Sequence, residues 1–447
     1  MLTISSASPV GAPHGTADST AVAWERLLGR FADLFTKPSS GLFCTLITGW
    51  ALCPGRRTVT RMVDVADPDG LHAHDAYHRF LRAGAWSLAA LFEVLARAVV
   101  ASLCRDGALA VDIDDTLFNK SGTKVAGAGN FRDPIRSTGG KVVYALGLNL
   151  VVATLRITPP WGGEPLGLPV NMRLYRKGGR SHIELAEDMI AEIEGWFPGR
   201  VVVVCADGAY ACLARASLTC AHVVSRMQRN AALFEAPPAR MGQRGRPRKR
   251  GARLPSPPGL AAAAPAEEWT TVTLTLRGKQ AERLLLSRRV LWYGLLPEHL
   301  VLLVIVRDPA GVQPDDFLFS TDLDCAPELV AEHYAGRWSI EDTFRNVKQH
   351  LGGQQPQSWK HKGPERAAGL SLWIYTATWL WYLTTQGSAV TWKRRPWYPK
   401  KATPSFADAL ACLRRTLWHQ RIFATSDEPR LTPETAQTII DSLARAA

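Results

Sequence analysis

The eight cysteines, Cys44, Cys53, Cys104, Cys205, Cys212, Cys220, Cys325 and Cys412, include no C-x-x-C pair. Most lie in apolar surroundings, so they read as reduced core residues of a cytosolic protein rather than zinc ligands or a disulfide framework. No G-x-x-x-x-G-K-[ST] sequence is present, which disfavours a P-loop ATPase. The opening MLTISSASPVGAPHGTADS lacks a basic start followed by an apolar run, so no signal peptide is expected. The most apolar stretch, Gly369 to Leu383, is short for a membrane span and rich in Trp and Thr. A buried helix is expected there, and no membrane partner. His72, His74 and His78 lie near Asp75, where surface histidines are expected rather than a metal cluster. Acids are also scarce: 40 Asp and Glu stand against 53 Lys and Arg, a net charge of +13. That imbalance points to a polyanionic partner, nucleic acid first.

With 447 residues, 46% hydrophobic and 21% charged, the chain is globular and long enough for about two to four domains. Residues 1–21 read as a flexible tail and 22–105 as a helical DNA-binding domain, with apolar residues at three- and four-residue spacing. Within it Thr58 can cap a short helix, and Arg56, Arg57 and Arg61 are candidates for reading bases. Residues 106–225 alternate strands with helices, and Ser181 caps one of these helices. Residues 226–319 read as a β-rich insertion. It opens with the basic RGRPRKRG, containing Arg246, Arg248, Lys249 and Arg250, and continues into the low-complexity linker PSPPGLAAAAPAEE. Helical pattern returns over 320–385, and 386–447 forms a basic and helical end that includes WKRRPWYPKK. The expected fold class is α/β, a mixed sheet flanked by helices.

Three carboxylate positions stand out. Asp112, Asp114 and Asp115 end an apolar strand, with Asp112 and Asp114 on one face and Asp115 turned away. Asp207 ends a second, all-apolar strand, VVVVCAD. Glu341 lies on a helix with Arg337, Arg345 and Lys348 on the same face and Tyr334 one turn back. Ser339 and Asp342 form a capping-box-like start, so the helix is expected to break just before Glu341. Singly, Glu341 reads as a salt-bridged surface acid, and Asp207-Gly208 as a turn. Together the three are the ingredients of a two-metal site. Mg²⁺ needs few carboxylates beside substrate oxygens, and two ions roughly 3.5–4 Å apart serve in-line phosphoryl displacement. The three carboxylates are expected to converge within a few ångström, with Lys348 beside them.

Four stretches resemble DDE-type transposases of bacterial insertion sequences, which have an RNase H-like catalytic core. DDTLFNKSG resembles the first-aspartate motif, VVVVCADGAY the second, and RGRPRKRG a basic segment of the insertion. Tyr334, Arg337, Glu341 and Lys348 match the third motif, Y-x₂-R-x₃-E-x₆-K, at every spacing. At the first acid the pattern favours Asp114, with Asp115 second. The resemblance implies that Asp114, Asp207 and Glu341 bind two catalytic Mg²⁺ ions, for which Mn²⁺ can substitute. It implies that Tyr334, Arg337 and Lys348 hold phosphates of the element's end. In similar enzymes a flipped base stacks on a tryptophan of the insertion; Trp292 is the candidate here and Trp269 its competitor. The implied partners are double-stranded DNA, as terminal inverted repeats and as target, and a second subunit in a homodimer. The implied location is the bacterial cytoplasm, at the nucleoid. A non-mobile nuclease or a decayed DNA-binding regulator are the alternative functions.

Overall fold

β-branched apolar runs alternate with amphipathic segments along the middle of the chain, and this alternation builds a mixed sheet flanked by helices. The computed structural model describes residues 15–133, 136–216, 218–238, 248–386, 392, 396–424 and 432–446. The chain divides into two compact units, one of residues 1–80 with 377–447, the other of 81–376.

The first unit is helical. It contains α1 (Gly15–Gly29), α2 (Lys37–Leu52), α3 (Val59–Ala66) and most of α4 (His74–Ala83). The end of α10 (Gly363–Gln386), α11 (Phe406–Ala424) and α12 (Pro433–Arg445) complete it. Thr58 caps α3 as expected, its hydroxyl accepting from the Arg61 N–H at 3.3 Å. Gly49 lets α2 approach α3: a Cβ there would lie 2.1 Å from the Met62 carbonyl oxygen. Arg56 and Arg61 are exposed. Arg57 is not: its side chain is buried, and its guanidinium donates to the Gly55 carbonyl at 2.9 Å, so it is a structural residue rather than a base reader.

The second unit holds the sheet. Its strands are β1 (Leu109–Asn119), β2 (Gly129–Arg132), β3 (Tyr144–Ile157), β4 (Leu166–Tyr175), β5 (Val202–Ala206), β6 (Ala221–Arg226), β7 (Leu233–Phe234), β8 (Thr270–Leu276), β9 (Lys279–Trp292), β10 (Val301–Arg307) and β11 (Asp316–Ser320). The order β4-β3-β1-β5-β6, antiparallel through β3 and parallel from β1 to β6, is RNase H-like. The β-rich segment does not form a sheet of its own. It continues this one, β11 pairing with β6, then β10, then β9. The stretch read as low-complexity linker contains a helix, α7 (Pro257–Ala263). Pro257, Leu260 and Ala261 are buried there, which gives the segment enough apolar contact to order.

Helices α5 (Leu88–Leu103), α6 (His182–Trp196), α8 (Pro327–Gly336) and α9 (Ser339–His350) flank the sheet. Ser181 and Glu184 form a capping box on α6. Along α9 and its C-cap, Ile340, Phe344, Val347 and Leu351 are buried at i, i+4, i+7 and i+11. This apolar stripe turns Glu341 and Lys348 to one flank. The Trp-rich stretch is the buried part of α10, with Trp373, Trp379 and Trp381 each at most 1% exposed. Among the described residues no single helix is long and apolar enough to cross a membrane.

Candidate active site

The parallel pairing of β1 with β5 brings the first two acids together. Ile113 faces Ala206 across the ladder, and Asp114 and Asp207 are the next residues on each strand. Asp207 caps the 3₁₀ segment Gly208–Arg215, one carboxylate oxygen accepting from the Ala209 N–H at 2.8 Å. The turn expected at Asp207-Gly208 therefore exists, and it leaves the carboxylate beside Asp114.

Glu341 arrives from α9. The break between α8 and α9 falls where the sequence placed it, but for another reason. Ser339 makes no cap. Its hydroxyl instead donates to the Asp112 carboxylate at 3.0 Å. Asp112 is fully buried, and both its oxygens accept from the Arg156 guanidinium, one at 3.1 Å. Gly336 makes room for that guanidinium, since a Cβ would lie 2.6 Å from it. Asp112 is thus neutralised and enclosed, and it anchors the joint between α8 and α9.

From that joint Arg337 reaches between two acids. One guanidinium nitrogen lies 3.0 Å from Asp114 and another 3.1 Å from Glu341. Burial pushes the Asp114 carboxyl up to about 7, against the pull of Arg337, and the charges of Asp115 and Asp207 add to the rise. Burial opposes the charge on Arg337, yet Asp114, Tyr334 and Glu341 hold it above its ordinary value. Among the described residues, no three His, Cys, Asp or Glu side chains stand close enough together to hold one ion. Asp114 and Glu341 instead share the Arg337 guanidinium, each within 3.1 Å of one of its nitrogens. Carboxylates this close repel, and the Arg337 guanidinium between Asp114 and Glu341 offsets the repulsion.

A pocket of about 650 Å³ opens beside Asp114 and Glu341, lined by these two and by Asp115, Arg345, Lys348 and Gln354 among others; Asp207 and Arg337 are not among its lining residues. Asp115 reaches it from the other face of β1, its oxygens accepting from Asn149 Nδ2 at 3.2 Å and the Tyr210 hydroxyl at 3.3 Å. Burial lowers the affinity of Lys348 for its proton, with Asp133 acting in the other direction. Arg345 is exposed and pairs with Asp342 rather than with Glu341. Arg132, Asp133 and Asn149 also line the pocket, and sequence reasoning missed them. Their only signal was nearness to a strand, which many residues share. Lys120, part of the first motif, does not line the pocket. It donates to the carbonyls of Gln354 at 2.9 Å and Pro356 at 3.1 Å, tying down the chain after α9.

Several other expected site residues lie elsewhere. Tyr334 is 7% exposed and belongs to the core, its ring near the guanidinium groups of Arg226 and Arg337 at 5.4 and 5.8 Å. Trp292 is corrected: it is 5% exposed and packs edge-on against Phe319 at 5.4 Å, so core packing occupies the ring that was to stack a base. Its competitor Trp269 carries the Arg307 guanidinium 4.0 Å over its ring. Of the basic run, Arg246 lies outside the described residues. Arg248 and Lys249 are exposed, and Lys249 pairs with Glu298 at 3.5 Å. Arg250 sits 4.4 Å from the Phe234 ring and 4.6 Å from the Tyr293 ring, which makes it an anchor of its segment.

The donor set fits a hard divalent cation. Its groups are carboxylate oxygens, and Mg²⁺ takes only one or two of these per ion beside water and phosphate. The half-buried Asp114 is poised so that a cation would favour its ionised form. A comparison with curated proteins finds no match. A family model described as DDE superfamily endonuclease matches residues 31–293, which include Asp114 and Asp207 and stop short of α9. The sheet order, the two strand-borne aspartates and this match agree: the chain belongs to the DDE superfamily endonucleases, enzymes that act on DNA.

Proposed function

We propose that the protein is a cut-and-paste DNA transposase of the Y-R-E-K motif group, cleaving and joining strands at insertion-sequence ends. One observation carries this reading: Arg337 links Asp114 to Glu341 beside Asp207, within a chain that keeps the full Tyr334, Arg337, Glu341, Lys348 spacing. Asp114, Asp207 and Glu341 would hold two Mg²⁺ ions, or Mn²⁺ in their place. Bound there, the ions would help activate a water or 3′-hydroxyl and stabilise the leaving oxygen of an in-line displacement.

The chain's own contribution is position and charge. Arg337 holds Asp114 and Glu341 in fixed relation, and Tyr334 supports it from the core side. Lys348 and Arg345, on the pocket wall, neutralise phosphates next to the scissile bond. Arg248 and Lys249, exposed after the insertion's opening, add contacts that do not read sequence. The α2–α3 pair, with Arg56 and Arg61 exposed, is the reader of the element's ends. Double-stranded DNA is the substrate as inverted repeat and as target, and two subunits cut the two ends. A transposase acting in bacteria would work at the nucleoid.

The test is incubation of purified protein and Mg²⁺ with plasmid DNA carrying the inverted repeats that flank the gene. Excision of the bracketed segment and its joining to new DNA supports the proposal. Cutting that ignores the repeats would point to a non-mobile nuclease, and binding without cutting to a regulator.

A further inference from the structure

Helix α9 is followed by a loop that leaves the pocket rim at Gln354 and reaches α10 at Gly363. Its outer end reads Trp359-Lys360-His361-Lys362, and all four residues are exposed, Trp359 by 48%. The Lys360 ammonium lies 4.6 Å from the centroid of the Trp359 ring. Exposing a tryptophan this far has a cost in water, and three cationic or titratable neighbours in a row add mutual repulsion.

The loop is held rigidly in spite of this. Lys120 donates to the carbonyls of Gln354 and Pro356, and the Ala126 N–H donates to the Trp359 carbonyl at 2.8 Å. Ser358 is buried under Gly363, where a Cβ would lie 2.1 Å from the serine hydroxyl. His361 sits in the left-handed region at φ 51°, a conformation kept only where the surroundings impose it. Lys124, two residues before Ala126, is exposed as well, and the acid that opens α10, Glu365, is paired with Arg176 at 3.4 Å. The segment that follows β1, Lys120 to Ala126, therefore fixes the backbone of an exposed aromatic and its cations.

We propose that residues 359–362 form a second nucleic-acid contact, which takes an unpaired stretch of the DNA strand leaving the active pocket. This rests on the reading of the chain as a DNA-cutting enzyme. An aromatic face stacks a base of any identity, and flanking lysines neutralise the phosphates on either side. Trp359 is five residues on from Gln354, a span of at most about 18 Å. At 3.4 Å per nucleotide along a strand, Trp359 lies within about five nucleotides of the pocket. A paired duplex offers Trp359 no open base face, so the contact favours single-stranded over duplex DNA.

The experiment measures binding without divalent ions, by fluorescence anisotropy, for blunt duplex and for duplex with a single-stranded tail. The chains compared are wild type, Trp359→Ala, Trp359→Phe and Lys360→Ala/Lys362→Ala. Trp359→Ala should weaken tailed DNA roughly 5- to 100-fold and leave blunt duplex unchanged, with Trp359→Phe retaining most of the tail affinity. The double lysine variant should lower the slope of log K against log salt on tailed DNA by about 1.4. Equal losses on both substrates, or no loss on either, would overturn the assignment. A wild type that binds neither DNA would instead overturn the proposed function.

Discussion

Asp112 and Asp114 are two residues apart on one face of β1, yet they sit in opposite settings. Asp112 is sealed: its two oxygens meet Arg156 and the Ser339 hydroxyl, and none of it is exposed. Asp114 is half-open: it lines the pocket and shares Arg337 with a second acid. The first acid has as much positive charge as it needs. The second has half a guanidinium, a neighbouring acid on either side and a carboxyl pushed up to about 7 by burial. One strand therefore carries an acid sealed by its partners and an acid open to the pocket. What separates them is how completely their charge is matched, and the matched acid holds the joint from which the other's partners project.

Asp112→Asn should break this contrast most severely. It leaves the Arg156 guanidinium buried without its counter-charge, and unfolding stability should fall by about 3–5 kcal/mol. A denaturant melt reads this as a lower midpoint. Next comes Arg337→Gln, which unlinks Asp114 from Glu341. DNA cleavage should fall on the order of 100-fold while DNA binding is largely kept, and melting should drop by less than for Asp112→Asn because Asp114 and Glu341 stay partly open to water. Ser339→Ala sharpens the comparison further. It removes one hydrogen bond to Asp112, costs about 1 kcal/mol of stability, and should lower the cleavage rate more than DNA affinity if the joint sets the position of Arg337.

The smallest effect concerns Lys120. Burial lowers its amine from 10.5 to about 8. Below pH 8 the folded protein bears the whole cost of that buried charge. Between about 8 and 10.5 the unfolded chain binds more protons than the folded one, so the stability contribution rises with pH. Compared with Lys120→Met across that window, wild type should gain stability as pH increases. A difference that is flat with pH would show that the amine is not desolvated.

Local patterns were legible in the sequence. Asp207 at the end of β5, the caps at Thr58 and Ser181 and the burial of the Trp-rich helix follow from spacing within a few residues, whereas Asp112, Asp114 and Asp115, expected at a strand end, lie in the middle of β1, which runs on to Asn119. Contacts across long separations were not. Nothing near Asp112 announces Arg156, 44 residues on, or Ser339, 227 residues on. Trp292 reads the same whether it packs edge-on against Phe319 or stacks on a base, and only the β9 and β11 packing decides. Likewise Arg57 and Arg61 are alike in sequence, and a turn of the chain buries one and exposes the other. A charge-rich helix face could be named from its spacing, but that Arg337 would stand between two carboxylates required the sheet.

In the proposed centre Glu341, beyond the stretch that the family model covers, joins Asp114 and Asp207 in one metal-dependent cutting site. The direct measurement is the Mg²⁺-dependent cleavage rate of plasmid DNA carrying the flanking repeats, for wild type and Glu341→Gln side by side with their DNA affinities. The predicted result is a wild type that cuts and a variant that binds DNA equally well but cuts on the order of 1,000-fold more slowly. A Glu341→Gln protein that cuts at a rate close to wild type would contradict the account.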